Sequence, residues 1–281
     1  MELFQYFIFI LVIFAAISKA LVMKPCANLY DAGHITLFFS FWLFIANSLL
    51  IPYHYETLVN DLINNTTNLS FAFLKGLFFY GYMVYGNKLT KASGSSRSFI
   101  PVIGVGIIAI FNFFLFGEVL TQYQLISAIL ITFWGIFYYF KGHLNETNSQ
   151  HIFLIFLFFA VILSIFDHLG NSNLHWFTYL YFSILIMLII SFFYTKKSIE
   201  SYKFIFTEKR LILAAAIYIA YEIFITSIRV NILPVTVINI AGLMSTPLIM
   251  LIMQGLYKES TIKKQLFFGL GAFFIGLIAL I

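Results

Sequence analysis

Long apolar runs separated by short polar connections follow one another along the whole chain. A helix that crosses a lipid bilayer needs roughly 20 predominantly apolar residues, and ten runs come close to that length. The pattern predicts ten membrane-spanning helices, over residues 3–23, 34–53, 69–87, 98–116, 121–140, 151–167, 175–194, 210–228, 233–255 and 263–281.

The composition supports lipid as the main solvent of this protein. Hydrophobic residues make up 62% of the 281 residues and charged residues 10%, whereas soluble domains carry about 25% charged residues. The first run lacks a basic start, so we expect a retained span and not a cleaved signal peptide. The single cysteine, Cys26, excludes an intramolecular disulfide.

Basic residues lie almost entirely in the connections on one side of the predicted membrane domain. Those on the basic side are Lys24, Lys88, Lys91, Arg97, Lys141, Lys196, Lys197, Lys203, Lys209, Arg210, Lys258, Lys263 and Lys264. The opposite side carries Arg229. The positive-inside rule places the basic side in the cytoplasm, and ten spans then put both termini outside. The net charge of +5 is therefore a topology signal and does not indicate nucleic-acid binding.

Two segments near the middle and the end of the chain share a pattern. A shift of half the chain length superposes Glu118 on Glu259, Gln124 on Gln265, Leu125 on Leu266, Phe133 on Phe274 and Gly135 on Gly276. Each half holds five predicted spans, so the halves 1–140 and 141–281 enter the membrane in opposite senses. The chain is therefore predicted to be an all-α integral membrane protein built from two inverted five-helix repeats in one membrane domain. Inverted repeats recur in secondary transporters.

The two acids of this repeat lie where the last helix of each half begins. A carboxylate near a helix N-terminus is favoured by the helix dipole, and Thr121 with Gln124 fits a capping box. We expect Glu118 and Glu259 to be structural acids that start these helices.

The string LFGEVLTQYQLISAILITFWGIF, echoed at the carboxyl end, resembles the drug/metabolite transporter (DMT) superfamily, in particular its EamA-like members. The resemblance implies a ten-helix carrier with a 5+5 inverted repeat that works by alternating access around a central cavity. Members move amino acids, nucleotide-like metabolites, sugar phosphates, amines and drugs. Ten-span members usually keep both termini in the cytoplasm, which differs from the charge distribution here. The proton-coupling Glu in the first span of the small multidrug members has no counterpart, because this first span carries only Lys19.

One acidic residue, Glu222, lies deep within a predicted span. A charge at that depth is costly and is by default a functional hypothesis. Tyr218 and Thr226 share its helix face, so a polar stripe is predicted to line a watery cavity. Glu222 is the candidate substrate and proton-coupling residue, and a structural carboxyl bonded to a neighbouring helix is the alternative.

A second polar face lies on the third span, the repeat mate of the span that carries Glu222. Lys75, Tyr82 and Tyr85 share this face, and Asn239 in the ninth span is a further candidate substrate-binding residue. A carboxylate on one wall and an ammonium on the other would suit a zwitterion. For Lys75 and Lys19 the alternative is that the side chain extends to the membrane interface, and for the tyrosines it is core packing.

The histidines fall at or beyond the ends of the predicted spans, which argues against an enzyme with a buried metal or haem. Asp167, His168 and His175 surround one outer connection, where a solvated loop is favoured over a metal site. We expect no cofactor and no metal.

The predicted function is secondary transport of a small polar or zwitterionic, amino-acid-like metabolite across the inner cell membrane by alternating access, with proton or gradient coupling left open. An organic cation, drug or amine transporter and a flippase for a lipid-linked sugar are the alternatives, and a channel is less favoured. The expected partners are a small-molecule substrate and the lipid bilayer, in a monomer or homodimer.

Overall fold

A computed structural model describes the chain over residues 3–92, 104, 106–111, 113–114, 117, 120–140, 150–195, 209–231, 235–257 and 263–278. All regular secondary structure in these ranges is helical. The helices are α1 Leu3–Leu29, α2 Ala32–Leu49, α3 Ile51–Asn64, α4 Leu69–Ala92, α5 Gln122–Phe140, α6 Gln150–Asn173, α7 Trp176–Tyr194, α8 Lys209–Asn231, α9 Val235–Met244, α10 Thr246–Tyr257 and α11 Lys263–Ile278. A 3-10 turn at Thr66–Asn68 joins α3 to α4.

Several of these helices are suited to a bilayer. Within the described ranges, six helical segments are long and apolar enough to cross a membrane, and they belong to α1, α2, α6, α7, α8 and the joined pair α9–α10. Helices α5 and α11 contain shorter apolar stretches. Large apolar side chains such as Phe14, Phe133 and Phe274 are more than 60% exposed, as expected where lipid replaces water. These features indicate a multi-pass membrane protein.

Helix boundaries differ from the predicted ones in several places, and α1 and α4 run six and five residues beyond their predicted ends. Helix α6 runs to Asn173, six residues beyond the predicted end at Asp167, because polar residues near a helix end still continue its hydrogen bonding. The amphipathic helix α3 lies in a connection for which no helix was predicted. The predicted ninth span is divided at Ser245, just before Pro247, since proline has no N–H to continue the backbone ladder.

Side-chain contacts bring the connections together at two opposite ends of the bundle. At one end, the backbone N–H of His175 donates to Asp61 Oδ2 at 3.0 Å, and the His54 ring stacks on Phe177. At the other end, Thr195 Oγ1 donates to the carbonyl of Gly33 at 3.3 Å. The connections before α4 and α7 therefore lie at the same end of the bundle. This is expected if successive helices cross the membrane in alternating directions.

The start of α5 has the predicted capping box. Thr121 N–H donates to Gln124 Oε1 at 3.0 Å, and Gln124 N–H donates to Thr121 Oγ1 at 3.2 Å. This reciprocal pair satisfies two backbone donors that a helix start leaves open. Glu118 and Glu259, the predicted helix-start acids, lie outside the described residues.

The helices pack in pairs that join the first half of the chain to the second. Helix α1 packs against α8, α2 against α7, α4 against both α6 and α7, and α5 against α11. The α5–α11 contact is tied by two bonds to backbone carbonyls: Trp134 Nε1 donates to Phe268 and Ser127 Oγ to Ile275. Pairing across the halves leaves room for a cavity where α1, α4, α6, α8 and α9 meet.

Candidate functional site: a charged cavity between the halves

A cavity of about 240 Å³ lies between helices from both halves of the chain. Helices α1 and α4 line one part of it, α6, α8, α9 and α10 line the rest, and Gly104 and Ile108 also contribute. A cavity of this size has room for several water molecules. Drug-sized ligands use pockets of roughly 300–1,000 Å³, so this cavity suits a smaller molecule.

The first charged pair on the cavity wall joins α1 to α8. Lys19 Nζ lies 3.0 Å from Glu222 Oε1, and the two side chains are 13% and 12% exposed. The ammonium also lies over two aromatic rings, 4.1 Å from the ring centre of Tyr221 and 4.7 Å from that of Tyr218. Ring faces attract cations, so the carboxylate and the two rings together hold Lys19 inside the protein.

The second charged pair joins α4 to α6. Lys75 Nζ lies 2.7 Å from Asp167 Oδ1, and the two side chains are 5% and 7% exposed. Tyr179 of α7 completes the arrangement: its hydroxyl donates to the same Asp167 oxygen at 3.3 Å, and its ring faces the Lys75 ammonium at 4.4 Å. A third helix therefore fixes this pair.

The two pairs differ in how far they are open to the cavity. The four charges sum to zero, which removes the large cost of burying an uncompensated charge. Lys19 and Glu222 keep about twice the exposure of Lys75 and Asp167. A solute in the cavity therefore reaches the Lys19–Glu222 pair more readily, whereas the Lys75–Asp167 pair is more enclosed and is fixed by Tyr179.

Uncharged polar groups complete the wall. Ser164 of α6 and Asn239 of α9 line the cavity, as do Ser245 and Thr246 at the break between α9 and α10. Within the part of the chain that the structure describes, Ser164 Oγ and Asn239 Nδ2 are buried and have no hydrogen-bond partner.

The predicted substrate-binding residues occupy different positions around this cavity. Glu222, Lys75, Tyr82 and Asn239 line it. Tyr218 and Thr226 are buried at 0% and 1% exposure, outside the cavity lining, and the Tyr218 hydroxyl contacts Met83 Sδ at 3.1 Å.

Tyr85, which was predicted to share the Lys75 face, also lies outside the lining. Its ring stacks on Phe159, with the Lys88 ammonium 5.0 Å from the ring centre. The 3.6-residue period of α4 places Tyr85 on the same side of the helix as Lys75. That side of the helix is wider than the cavity, so Tyr85 lies beyond the cavity's edge.

Two alternatives drawn from the sequence are wrong. Lys19 and Lys75 do not extend to the interface, because a carboxylate from a distant helix holds each of them inside. Asp167 does not belong to a solvated outer loop, since it is 5% exposed and lies within α6. The signal that could have found both acid–lysine pairs was the presence of two lysines within predicted spans, together with one acid deep in a span and a second acid, Asp167, at the end of another. Which helices meet could not be read from the spans alone.

A polar cluster at the end of the bundle that carries α3 is separate from the cavity. His175 caps α7, its Nδ1 accepting the N–H of Phe177 at 3.3 Å. Burial lowers the pKa of His175, and the nearby His54 lowers it further, while Asp61 opposes the shift. Among the described residues, no group of three His, Cys, Asp or Glu side chains is arranged to hold a metal ion.

Comparison with known proteins supports the fold alone. No family model and no curated protein matches the chain. Nineteen chains of solved structures match it. One of them, described only as the crystal structure of a protein, has a TM-score of 0.61 at 13% sequence identity and covers 97% of this chain and 96% of that chain. The arrangement of helices is therefore one that a solved protein adopts over its full length.

Proposed function

We propose that this protein is a secondary transporter that moves a small polar or zwitterionic metabolite across a cell membrane by alternating access. The observation that carries the proposal is the cavity between the two halves of the chain, lined by two acid–lysine pairs. Intramembrane ionisable residues that face a cavity mark substrate or ion pathways in membrane proteins.

The pattern of helix contacts supports a 5+5 inverted repeat of ten spans. In that scheme, Lys19 and Glu222 join the first helix of one half to the third helix of the other. Lys75 and Asp167 make the reciprocal connection between the third helix and the first. The α2–α7 and α5–α11 contacts then join second with second and fifth with fifth helices. A twofold axis in the membrane plane produces this reciprocity.

The broken helix at the cavity also supports a transporter. Helix α9 ends at Met244 and α10 begins at Thr246, where Ser245 and Thr246 line the cavity. Interrupted helices with their ends at a substrate site are a recurring feature of secondary transporters. Irregular backbone at membrane depth is tolerated where it lines a cavity.

The charges of the cavity favour a zwitterion over the other substrates considered. The faces of Tyr218 and Tyr221 are already occupied by the Lys19 ammonium, so an organic cation would meet a like charge there. A zwitterion can place its carboxylate near Lys19 and its ammonium near Glu222 while the sum of charges stays zero. The small volume disfavours a drug-sized solute and a lipid-linked sugar.

The DMT, EamA-like assignment, the inner-membrane location and the cytoplasmic position of the basic connections are part of this proposal.

Uptake by proteoliposomes that contain the purified chain tests the proposed function. Labelled zwitterionic amino acids are the probes, and empty liposomes are the control. We expect saturable uptake by the wild type that is abolished by Glu222→Gln and by the charge-balanced double variant Lys19→Gln/Glu222→Gln, which leaves no unpaired charge in the cavity. Uptake by Glu222→Gln at the wild-type rate would remove Glu222 from the site. Non-saturable flux would indicate a channel.

A further inference from the structure

The cavity contains a polar subsite that the ion pairs do not account for. It consists of Ser164, Asn239 and Gly242, three lining residues contributed by α6 and α9. We propose that this subsite recognises an uncharged oxygen atom of the substrate, a carbonyl or hydroxyl oxygen, and that Gly242 provides the space for the group that carries it. This inference rests on the proposed function, because it assigns a specificity site within the same cavity.

Ser164 differs from other helical serines of this protein. Ser183 and Ser191 each donate to the carbonyl four residues earlier, at 2.6 and 2.7 Å, the usual arrangement for a serine inside an apolar helix. Ser164 is 6% exposed, yet its Oγ makes no hydrogen bond within the described parts of the chain. It lies one turn before Asp167 on the same helix face, so its hydroxyl is available beside a charged pair.

Asn239, on α9, adds a hydrogen-bond donor to the same cavity wall. Its Nδ2 is buried and lacks a partner within the described ranges, although amides at this depth usually bond between helices. An amide NH₂ only donates hydrogen bonds, whereas a serine hydroxyl both donates and accepts. The one group that suits both is an oxygen with free lone pairs. A buried donor left without a partner is costly, so a solute that supplies this oxygen binds more tightly than one that does not.

Gly242 lies one helical turn after Asn239, and the space beside it is empty. A methyl group built at Gly242 meets no atom of the described structure within 4 Å, and neither does one at Gly255. Gly242 lines the cavity, whereas Gly255 lies on α10 away from it. At Gly276, by contrast, an added methyl would lie 2.6 Å from Met244 Cγ, so a substitution there would disturb packing. The missing side chain at Gly242 therefore enlarges the cavity, and it is not needed for close packing between helices.

Binding of matched zwitterions to the full-length purified protein tests this proposal. Isothermal titration compares L-asparagine with L-leucine and L-serine with L-alanine, pairs that differ chiefly in a side-group oxygen. We expect the oxygen-bearing member of each pair to bind about tenfold more tightly or better. Ser164→Ala and Asn239→Leu should remove this preference, so that L-asparagine and L-serine bind no more tightly than L-leucine and L-alanine.

Gly242→Ala should weaken L-asparagine binding more than L-serine binding, and Gly255→Ala, the matched control, should change neither. Equal binding of both members of each pair, or an equal loss for all four amino acids in the Ser164 and Asn239 variants, would overturn the subsite and leave the transporter proposal standing. Binding of none of the four would overturn both. If Asn239→Leu fails to fold, Ser164→Ala and Gly242→Ala still decide the question.

Discussion

Removal of one partner of the Lys75–Asp167 pair should destabilise the fold far more than removal of both. At 2.7 Å and an effective dielectric constant near 20, the gross attraction is about 6 kcal/mol. Asp167→Asn takes away the one carboxylate paired with Lys75 among the described residues, in a site where both side chains are less than 10% exposed. Breaking a buried pair in this way costs about 3–5 kcal/mol, which corresponds to a fall in Tm of roughly 10 °C. The double variant Lys75→Met/Asp167→Leu leaves no uncompensated charge and loses only the Tyr179 hydrogen bond to Asp167, about 1–3 kcal/mol, so its Tm should lie well above that expected if the effects of the two single changes added.

The single cysteine of the chain makes the measurement direct. Cys26 is 4% exposed, so a thiol-reactive fluorescent dye reports unfolding of the detergent-purified protein with no background from other thiols. Lys88→Met, which removes an exposed lysine of the same helix, is the control and should shift the free energy of unfolding by no more than about 0.5 kcal/mol. The fall in Tm of the double variant is compared with the falls in Tm of Lys75→Met and Asp167→Leu measured separately. If it equals their sum, the two residues are not coupled and the reasoning fails.

Three further outcomes are expected. A reporter enzyme fused after Ile281 should be active on the outer side of the membrane, and activity in the cytoplasm would show that the charge distribution misled the topology. The Tm should fall as the pH drops below about 6.5, because the pKa of His175 is lowered in the folded state and the unfolded chain then binds more protons. His175→Asn, which retains a capping side chain, should show a weaker pH dependence, and an unchanged pH profile would contradict this explanation. Thr121→Ala should lower the stability by about 1 kcal/mol, because its hydroxyl accepts the Gln124 backbone N–H, and an unchanged free energy of unfolding in chemical denaturation would refute a working cap.

Changes to the charged residues of the cavity and changes to its uncharged polar residues should affect function differently. Glu222 and Lys19 offer opposite charges to a zwitterion, so changes there should affect every substrate. Ser164 and Asn239 offer only hydrogen bonds, so changes there should affect the ranking of substrates. Transport data can therefore distinguish a wrong site from a wrong specificity.

The positions of the helices and their apolar environment were predictable from the order of residues alone. The length and spacing of apolar runs depend on local geometry, so the predicted stretches coincide to within six residues with helices of the described chain: α1, α2, α4, α5, α6, α7, α8 and α11. The capping box at Thr121 was predictable for the same reason, because its two residues are three apart. The deep position of Glu222 was likewise clear from its distance to both ends of an apolar run.

How the buried charges are compensated depends on which helices meet in the folded chain. Lys19 and Glu222 are 203 residues apart in sequence, and no helical period relates them. Each lysine considered alone could reach the membrane interface, and each acid considered alone could bond to any neighbouring helix. Once α1 packs on α8 and α4 on α6, the cost of an unpaired charge in an apolar interior leaves the acid–lysine pairs as the stable arrangement. Within the described parts of the chain, the cavity, the balance of its four charges and the groups of Ser164 and Asn239 that have no hydrogen-bond partner follow from that packing.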